Sequence, residues 1–200
     1  EGTARPLGSG YDMGAFEYNP DVGSYTQTNV DGFGTLDDFS AYRMAVAGPA
    51  GSEKLYAGIW GNNGAQLYEY DGSDWYWKDA PWSTTNNIGI NSMVAFNNDL
   101  IVGTYNSTDG SEVWKYDGIN WSQINTGGFG GGASNYAADA LVVYNSNLYA
   151  AVAASGGFAL WQYMSGTNWD QVASAGLTKT TNARADAMVE YNGMLYIGTR

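Results

Sequence analysis

The residues best suited to chemistry are aromatic and amide side chains in Gly-, Asn- and Ser-rich segments: Trp60, Asn62 and Asn63; Trp82, Asn86 and Asn87; Tyr105, Asn106, Thr108 and Asp109; Phe129, Asn135 and Tyr136. Aromatic faces stack on sugar rings while Asn and Asp hydrogen-bond to hydroxyls, so the mixture suits a carbohydrate. Trp60, Asn62, Trp82, Tyr105, Asn106, Asp109 and Tyr136 form the expected ligand-binding set. The competing reading, favoured by the ordinary use of these residue types, has Trp82 and Phe129 plugging gaps in the packing and the Asn residues shaping turns. With no histidine and no cysteine, His-dependent triads, Cys nucleophiles and imidazole or thiolate metal sites are excluded. No Asp-x-Asp-x-Asp-Gly run closes on the Glu that a calcium loop requires, and Gly127 to Gly132 do not open a helix as a phosphate cradle would. No catalytic residue and no metal ligand is assigned.

Composition narrows the partners. The 200 residues carry 20 acidic and 8 basic side chains, a formal charge of -12, which repels phosphate backbones and anionic lipid. Nucleic acid is therefore not an expected partner. No run approaches the roughly 18 apolar residues of a membrane span, so membrane insertion is not expected either. Hydrophobic residues make up 44% and charged ones only 14%, so a core can form under a surface built largely from Gly, Asn, Ser and Thr. Such a composition suits an exported protein, and an extracellular or cell-surface location is expected.

The elements that must position these residues are written in a repeat. Leu55-Tyr56-Ala57-Gly58, Leu100-Ile101-Val102-Gly103, Leu148-Tyr149-Ala150-Ala151 and Leu195-Tyr196-Ile197-Gly198 are one element at spacings of 45, 48 and 47 residues. A second landmark keeps step, at Leu67-Tyr68-Glu69-Tyr70, Val113-Trp114-Lys115-Tyr116 and Leu160-Trp161-Gln162-Tyr163, each followed by a Trp at 75, 121 or 169. A third precedes each copy, around Met44, Met93, Leu141 and Met188. Each apolar run is short and bounded by turn residues, which predicts four strands per copy; in the second they span about 92–96, 100–105, 111–117 and 121–126. Asn97-Asn98, Asn145-Ser146 and Asn192-Gly193 predict tight turns, as do Asp71-Gly72 and Asp117-Gly118. A lone four-stranded meander cannot bury both faces, so successive copies must stack. The expected fold is all-β, a β-propeller with three complete four-stranded blades plus the start of a fourth, forming an incomplete ring.

Two further positions recur in register. Asp38, Asn87, Asn135 and Asn182 stand six residues before the first-strand Met or Leu and are expected to fix the loops through backbone hydrogen bonds. Tyr42, Asn91, Asp139 and Asp186 stand two residues before it, near the start of the innermost strands. Carboxylates there would suit a Ca²⁺ ion, although hard cations want roughly six or more oxygens and a solvated channel rim is the favoured reading. No cofactor is otherwise expected.

The run from Gly127-Gly128-Phe129-Gly130 through Asn135, Leu141-Val142-Val143-Tyr144, Leu148-Tyr149, Leu160-Trp161 and Trp169 resembles the blade repeat of exported prokaryotic β-propellers, broadly Kelch-like or galactose-oxidase-like. The resemblance covers residues 29–200. It departs from the Kelch pattern, whose double glycine is replaced here by Ala57-Gly58, Val102-Gly103, Ala150-Ala151 and Ile197-Gly198, and it lacks the histidines and the Cys-crosslinked Tyr of a galactose oxidase copper site. Asp12-Met13-Gly14-Ala15-Phe16-Glu17-Tyr18 resembles the closing motif of right-handed parallel β-helix domains, implying a tail at 1–20 and a linker at 21–28; an ordinary N-terminal arm is the alternative. The remaining blades are expected from the rest of a longer chain or from other chains. The function expected is a non-catalytic recognition or adhesion module of an exported protein, binding glycan or a surface protein through its loop face. The alternative is part of a polysaccharide lyase or hydrolase.

Overall fold

The structure, a computed structural model, describes residues 16–19, 23–34, 38–82, 86–174 and 176–200. Among them there is no α-helix, and strands dominate. Three four-stranded antiparallel meanders follow one another. The first holds β3 (Asp38–Ala47), β4 (Lys54–Gly61), β5 (Gln66–Tyr70) and β6 (Trp75–Lys78). The second holds β7 (Gly89–Phe96), β8 (Asp99–Tyr105), β9 (Val113–Tyr116) and β10 (Trp121–Gln123), and the third β11 (Asn135–Tyr144), β12 (Asn147–Ala154), β13 (Ala159–Ser165) and β14 (Asn168–Ala173). A two-stranded sheet of β15 (Ala185–Tyr191) and β16 (Met194–Thr199) packs against the third meander. Another pairs β1 (Phe16–Asn19) with β2 (Ser24–Gln27), the latter inside the stretch expected as a linker. Residues 12–15 of the β-helix-like motif lie outside the described residues.

The first strands start earlier than their apolar runs, because each inner strand carries a register shift just before its landmark, at Ala41/Arg43, Ile90/Ser92 and Ala138/Ala140. Turn chemistry follows the sequence. Asn97, Asn98, Asn145, Ser146 and Asn192 all adopt positive φ between first and second strands. At the next turns the Asp71 carboxylate accepts the N–H groups of Ser73 and Asp74, and Asp117 those of Ile119 and Asn120. These backbone donors hold both carboxyls below their ordinary range.

Single bridges, Trp60↔Gly89 and Tyr105↔Ala137, join the meanders into one twelve-stranded sheet. That sheet is open rather than closed on itself. The core lies between consecutive meanders: Tyr56, Leu67, Ile90 and Val102 between the first two, and Ile101, Val113, Leu141 and Val152 between the second and third. Close approach explains the recurring small residue after the second-strand landmark. A Cβ on Gly103 would stand 2.4 Å from Ser92 Oγ and 2.8 Å from the Ala138 Cβ of the next meander.

An aromatic clasp recurs before each meander. Phe33 packs on Tyr68 and Trp75 at centroid distances of 4.5 and 5.5 Å, Trp82 on Trp114 and Trp121 at 5.8 and 4.7 Å, and Phe129 on Trp161 and Trp169 at 5.2 and 5.1 Å. Phe33 and Phe129 reach these positions with φ of 50° and 54°, a left-handed conformation that ring burial must offset. Fourth-strand indoles tie back to the preceding segment: Trp75 Nε1 donates to Thr28 Oγ1 at 3.1 Å and Trp169 Nε1 to the Ile124 carbonyl at 2.6 Å.

The third-strand aromatic also has a polar end. Tyr68 Oη donates to Gln66 Oε1 at 3.0 Å and Trp114 Nε1 to Glu112 Oε2 at 2.8 Å, each acceptor two residues upstream. In the third meander that position is Ala159, and the buried Trp161 Nε1 has no hydrogen-bond partner among the described residues. Trp114→Phe is therefore expected to cost about 1–2 kcal/mol, whereas Trp161→Phe removes an unsatisfied donor and leaves stability within about 0.5 kcal/mol of the parent. Urea denaturation of the two variants side by side checks the contrast.

Candidate functional site

Second-strand ends and the connections between meanders come together on one side of the sheet. There four rings form a row that crosses all three meanders. Tyr42 on β3 lies edge-on to Trp60 at 5.9 Å, Trp60 at the end of β4 meets Tyr105 at 5.1 Å, and Tyr105 at the end of β8 meets Tyr136 on β11 at 5.8 Å. Backbone pairing sets these distances, because the Trp60↔Gly89 and Tyr105↔Ala137 bridges bring the end of each second strand to the start of the next first strand. Gly89 is required: a Cβ there would stand 2.2 Å from Trp60 Cε3, so only glycine lets the indole lie across β7. Trp60, Tyr105 and Tyr136 are half-buried and Tyr42 is exposed. The row is thus partly open to solvent, its neighbouring rings tilted to one another by 56–65°. A cavity of about 270 Å³, lined by Asn63, Gln66, Tyr68, Trp77 and Lys78 among others, opens elsewhere, beside β5 and β6.

The structure distributes the expected ligand-binding set unevenly. Trp60, Tyr105 and Tyr136 come together in the row. Asn106, beside Tyr105, is buried; its Oδ1 accepts the N–H groups of Thr108 and Asp109 at 3.0 and 2.8 Å, which fixes the loop. Asp109 is exposed and its Oδ2 accepts from Asn86 Nδ2 at 2.8 Å. Asn62 is exposed beyond Trp60. Trp82 stands apart from the row: it is 2% exposed, lies in the core between the first two meanders, and donates its Nε1–H to the Ala65 carbonyl at 2.9 Å. The plug reading describes its place. Asn87, Asn135 and Asn182 serve the loops, Asn87 through Thr104 and Glu112, Asn135 through the Gly128 carbonyl and Asn182 through the Gly176 carbonyl.

Beside the row, the inner strands carry a charged network. Asp139 on β11 is 1% exposed and holds the Arg184 guanidinium through both carboxylate oxygens, while Asn91 Nδ2 on β7 donates to Asp139 Oδ1 at 2.9 Å. Arg184 also approaches Asp186 at 3.4 Å, and Arg200 reaches Asp186 at 3.1 Å. Burial pushes the Asp139 carboxyl up, against the pull of Arg184 and Asn91. The Asn91 Oδ1, also buried, has no partner among the described residues. Three of the four recurring positions, Asn91, Asp139 and Asp186, therefore meet, with Arg184 among the carboxylates where a cation was considered. Among the described residues no group of three or more Asp or Glu side chains is placed to hold a metal ion.

Sequence reasoning did not single out Arg184, and it placed Tyr42 among the recurring positions without its ring contact to Trp60. Arg184 had a signal: it stands two residues before Asp186, in register with Gly89 and Ala137, so a long cation occupies a place where its siblings are small.

A scan against protein-family models finds no match, and a search of curated proteins finds none. Among solved structures the chain is similar to the extracellular domain of a protein described as a hybrid two-component system from B. thetaiotaomicron, with a TM-score of 0.62 and 16% identity. The likeness covers 95% of this chain and 24% of that one, so the chain spans about a quarter of the length of the structure it matches. At this identity the likeness is one of fold: an all-β array of antiparallel strands also found in an extracellular domain. No helix among the described residues is long and apolar enough to cross a membrane.

Proposed function

We propose that the three meanders are blades of a β-propeller and that the protein is a non-catalytic extracellular recognition module, which binds glycan on the Tyr42–Trp60–Tyr105–Tyr136 row. The row itself carries this reading: four rings from three successive meanders form one partly exposed row, and the exposed Asn62 and Asp109 follow Trp60 and Tyr105 closely in the chain as hydroxyl partners. Rings held by backbone bridges are pre-organised, so little side-chain entropy is lost when a sugar face stacks on them. A chain of net charge -12 favours neutral over acidic saccharides. Holding fits better than hydrolysis here, because Asp139 is enclosed and shares Arg184 with Asp186. The extracellular neighbour in fold space agrees with an exported location.

The test is calorimetric titration of linear neutral oligosaccharides into the protein and into Trp60→Ala. Binding by the parent and at least tenfold weaker binding by the variant, about 1.4 kcal/mol, is expected. Parent and variant binding alike would remove the row from the account. Far-UV circular dichroism confirms that the variant is folded.

A further inference from the structure

First strands end alike, with one exception. Phe96, Tyr144 and Tyr191 each stand opposite the residue that opens the second strand, whereas the first meander has Ala47 there, opposite Lys54. Between the second and third meanders Phe96 lies edge-on to Tyr163 at 6.3 Å and packs on the core. Between the first and second, Tyr56 on β4 takes the edge-on place, against Tyr116 at 6.2 Å. Ala47 adds no ring to it. A cavity of about 180 Å³ remains, bounded by Ala47, Lys54, Tyr56, Glu69, Leu100 and Tyr116 among others. Both its walls belong to complete meanders, and it opens at the strand ends remote from Trp60 and Tyr105.

The charges at this end are reversed between meanders, and the reversal leaves one of them over. Asp99 opens β8 and pairs with Lys115 on β9 at 3.4 Å. The same two positions in the first meander are Lys54 and Glu69. Glu69 turns instead to Lys78 on β6, at 3.1 Å. Asp117, also in the lining, accepts the N–H groups of Ile119 and Asn120. Half-buried Lys54 is thus the charged group of the lining with no hydrogen bond and no ion pair among the described residues; the Asp71 carboxylate attracts it without contact. Burial, with the Glu69 charge beside it, pushes the Tyr56 hydroxyl up, so that wall offers a neutral donor.

We infer that this cavity is a binding site for a small aromatic carboxylate, its ring against Tyr56, Leu100 and Tyr116 and its carboxylate on the Lys54 ammonium. An apolar cavity of about 150 Å³ admits benzene, so the volume suits a single ring. The ligand supplies the aromatic surface that Ala47 lacks, and a carboxylate gives Lys54 the charge-assisted hydrogen bond that Glu69 does not. Glu69 and Asp117 in the lining, and a net charge of -12, favour one negative charge on the ligand over several. The site is separate from the aromatic row and does not rest on glycan binding there.

Benzoate is the probe, titrated into the protein beside benzyl alcohol and benzylamine and followed by nitrogen-15 correlation spectra. Saturable benzoate binding with a dissociation constant of about 1 mM or tighter is expected, with the two other probes at least about tenfold weaker. Lys54→Met is expected to abolish that preference. Ala47→Phe, which gives the first meander the ring of the second, is expected to keep the parent's far-UV circular dichroism and to bind none of the three. Absence of saturable benzoate binding to the parent overturns the proposal, as do equal binding of the three probes, benzoate binding unchanged in Lys54→Met, or benzoate binding unchanged in a folded Ala47→Phe. If Ala47→Phe does not fold, the probe series on the parent and Lys54→Met decides alone.

Discussion

Trp82→Ala is expected to lower the unfolding free energy by about 4 kcal/mol, the order found when a buried aromatic is truncated to alanine. Trp82 is 2% exposed and joins the core formed by Tyr56, Leu67, Ile90, Leu100 and Tyr116. Its ring packs on both Trp114 and Trp121, so truncation opens a cavity between two meanders and also strands the Ala65 carbonyl that accepted its N–H. Trp82→Phe keeps much of the volume and is expected to cost far less, about 1–2 kcal/mol. The same measurement on Trp60→Ala, a half-buried residue of the row, is expected to show a loss within about 1 kcal/mol. Chemical denaturation of the three variants checks the order. A stable, well-folded Trp82→Ala protein would return Trp82 to the ligand-binding set.

Asp139→Ala is expected to cost about 3 kcal/mol, because it leaves Arg184 without its main partner in a site the carboxylate had enclosed and strips Asn91 of its remaining bond. Replacing both charges, as in Asp139→Leu/Arg184→Met, is expected to recover most of that loss, since burying a charge pair gains little over apolar packing. Burial pushes the Asp139 carboxyl up, so the folded state holds its proton to higher pH than the unfolded chain does. That contribution is full below the unfolded carboxylate range and is lost as pH rises through the folded value. The parent should accordingly show this loss of stability with rising pH, and the double variant should not.

The repeat was legible because it rests on backbone requirements that few residue types meet. Asn97-Asn98 and Asn145-Ser146 announce left-handed turns, and Gly103 or Ala151 marks the close approach of the next meander. The β1–β2 hairpin was not legible: Tyr25 stands where the complete meanders have Trp, and six residues separate it from Tyr18 where four separate Trp75 from Tyr70. Of the site, Trp60, Tyr105 and Tyr136 were identified individually from residue type and loop position. Their contact was not, because it depends on two single bridges between meanders that leave no periodic trace. Trp82 shows the converse difficulty. An indole in a Gly- and Asn-rich segment reads the same whether it faces solvent or closes a gap, and only the neighbouring Trp114 and Trp121 decide it.

Nitrogen-15 correlation spectra of the tryptophan indoles during oligosaccharide titration test the recognition platform most directly. The Trp60 signal, assigned by its absence in Trp60→Phe, is expected to shift with saturation, while the signals of the core residue Trp82 and the clasp residue Trp169 hold still. A saccharide that binds and moves another indole while Trp60 stays fixed, or a panel that moves none, would contradict the account.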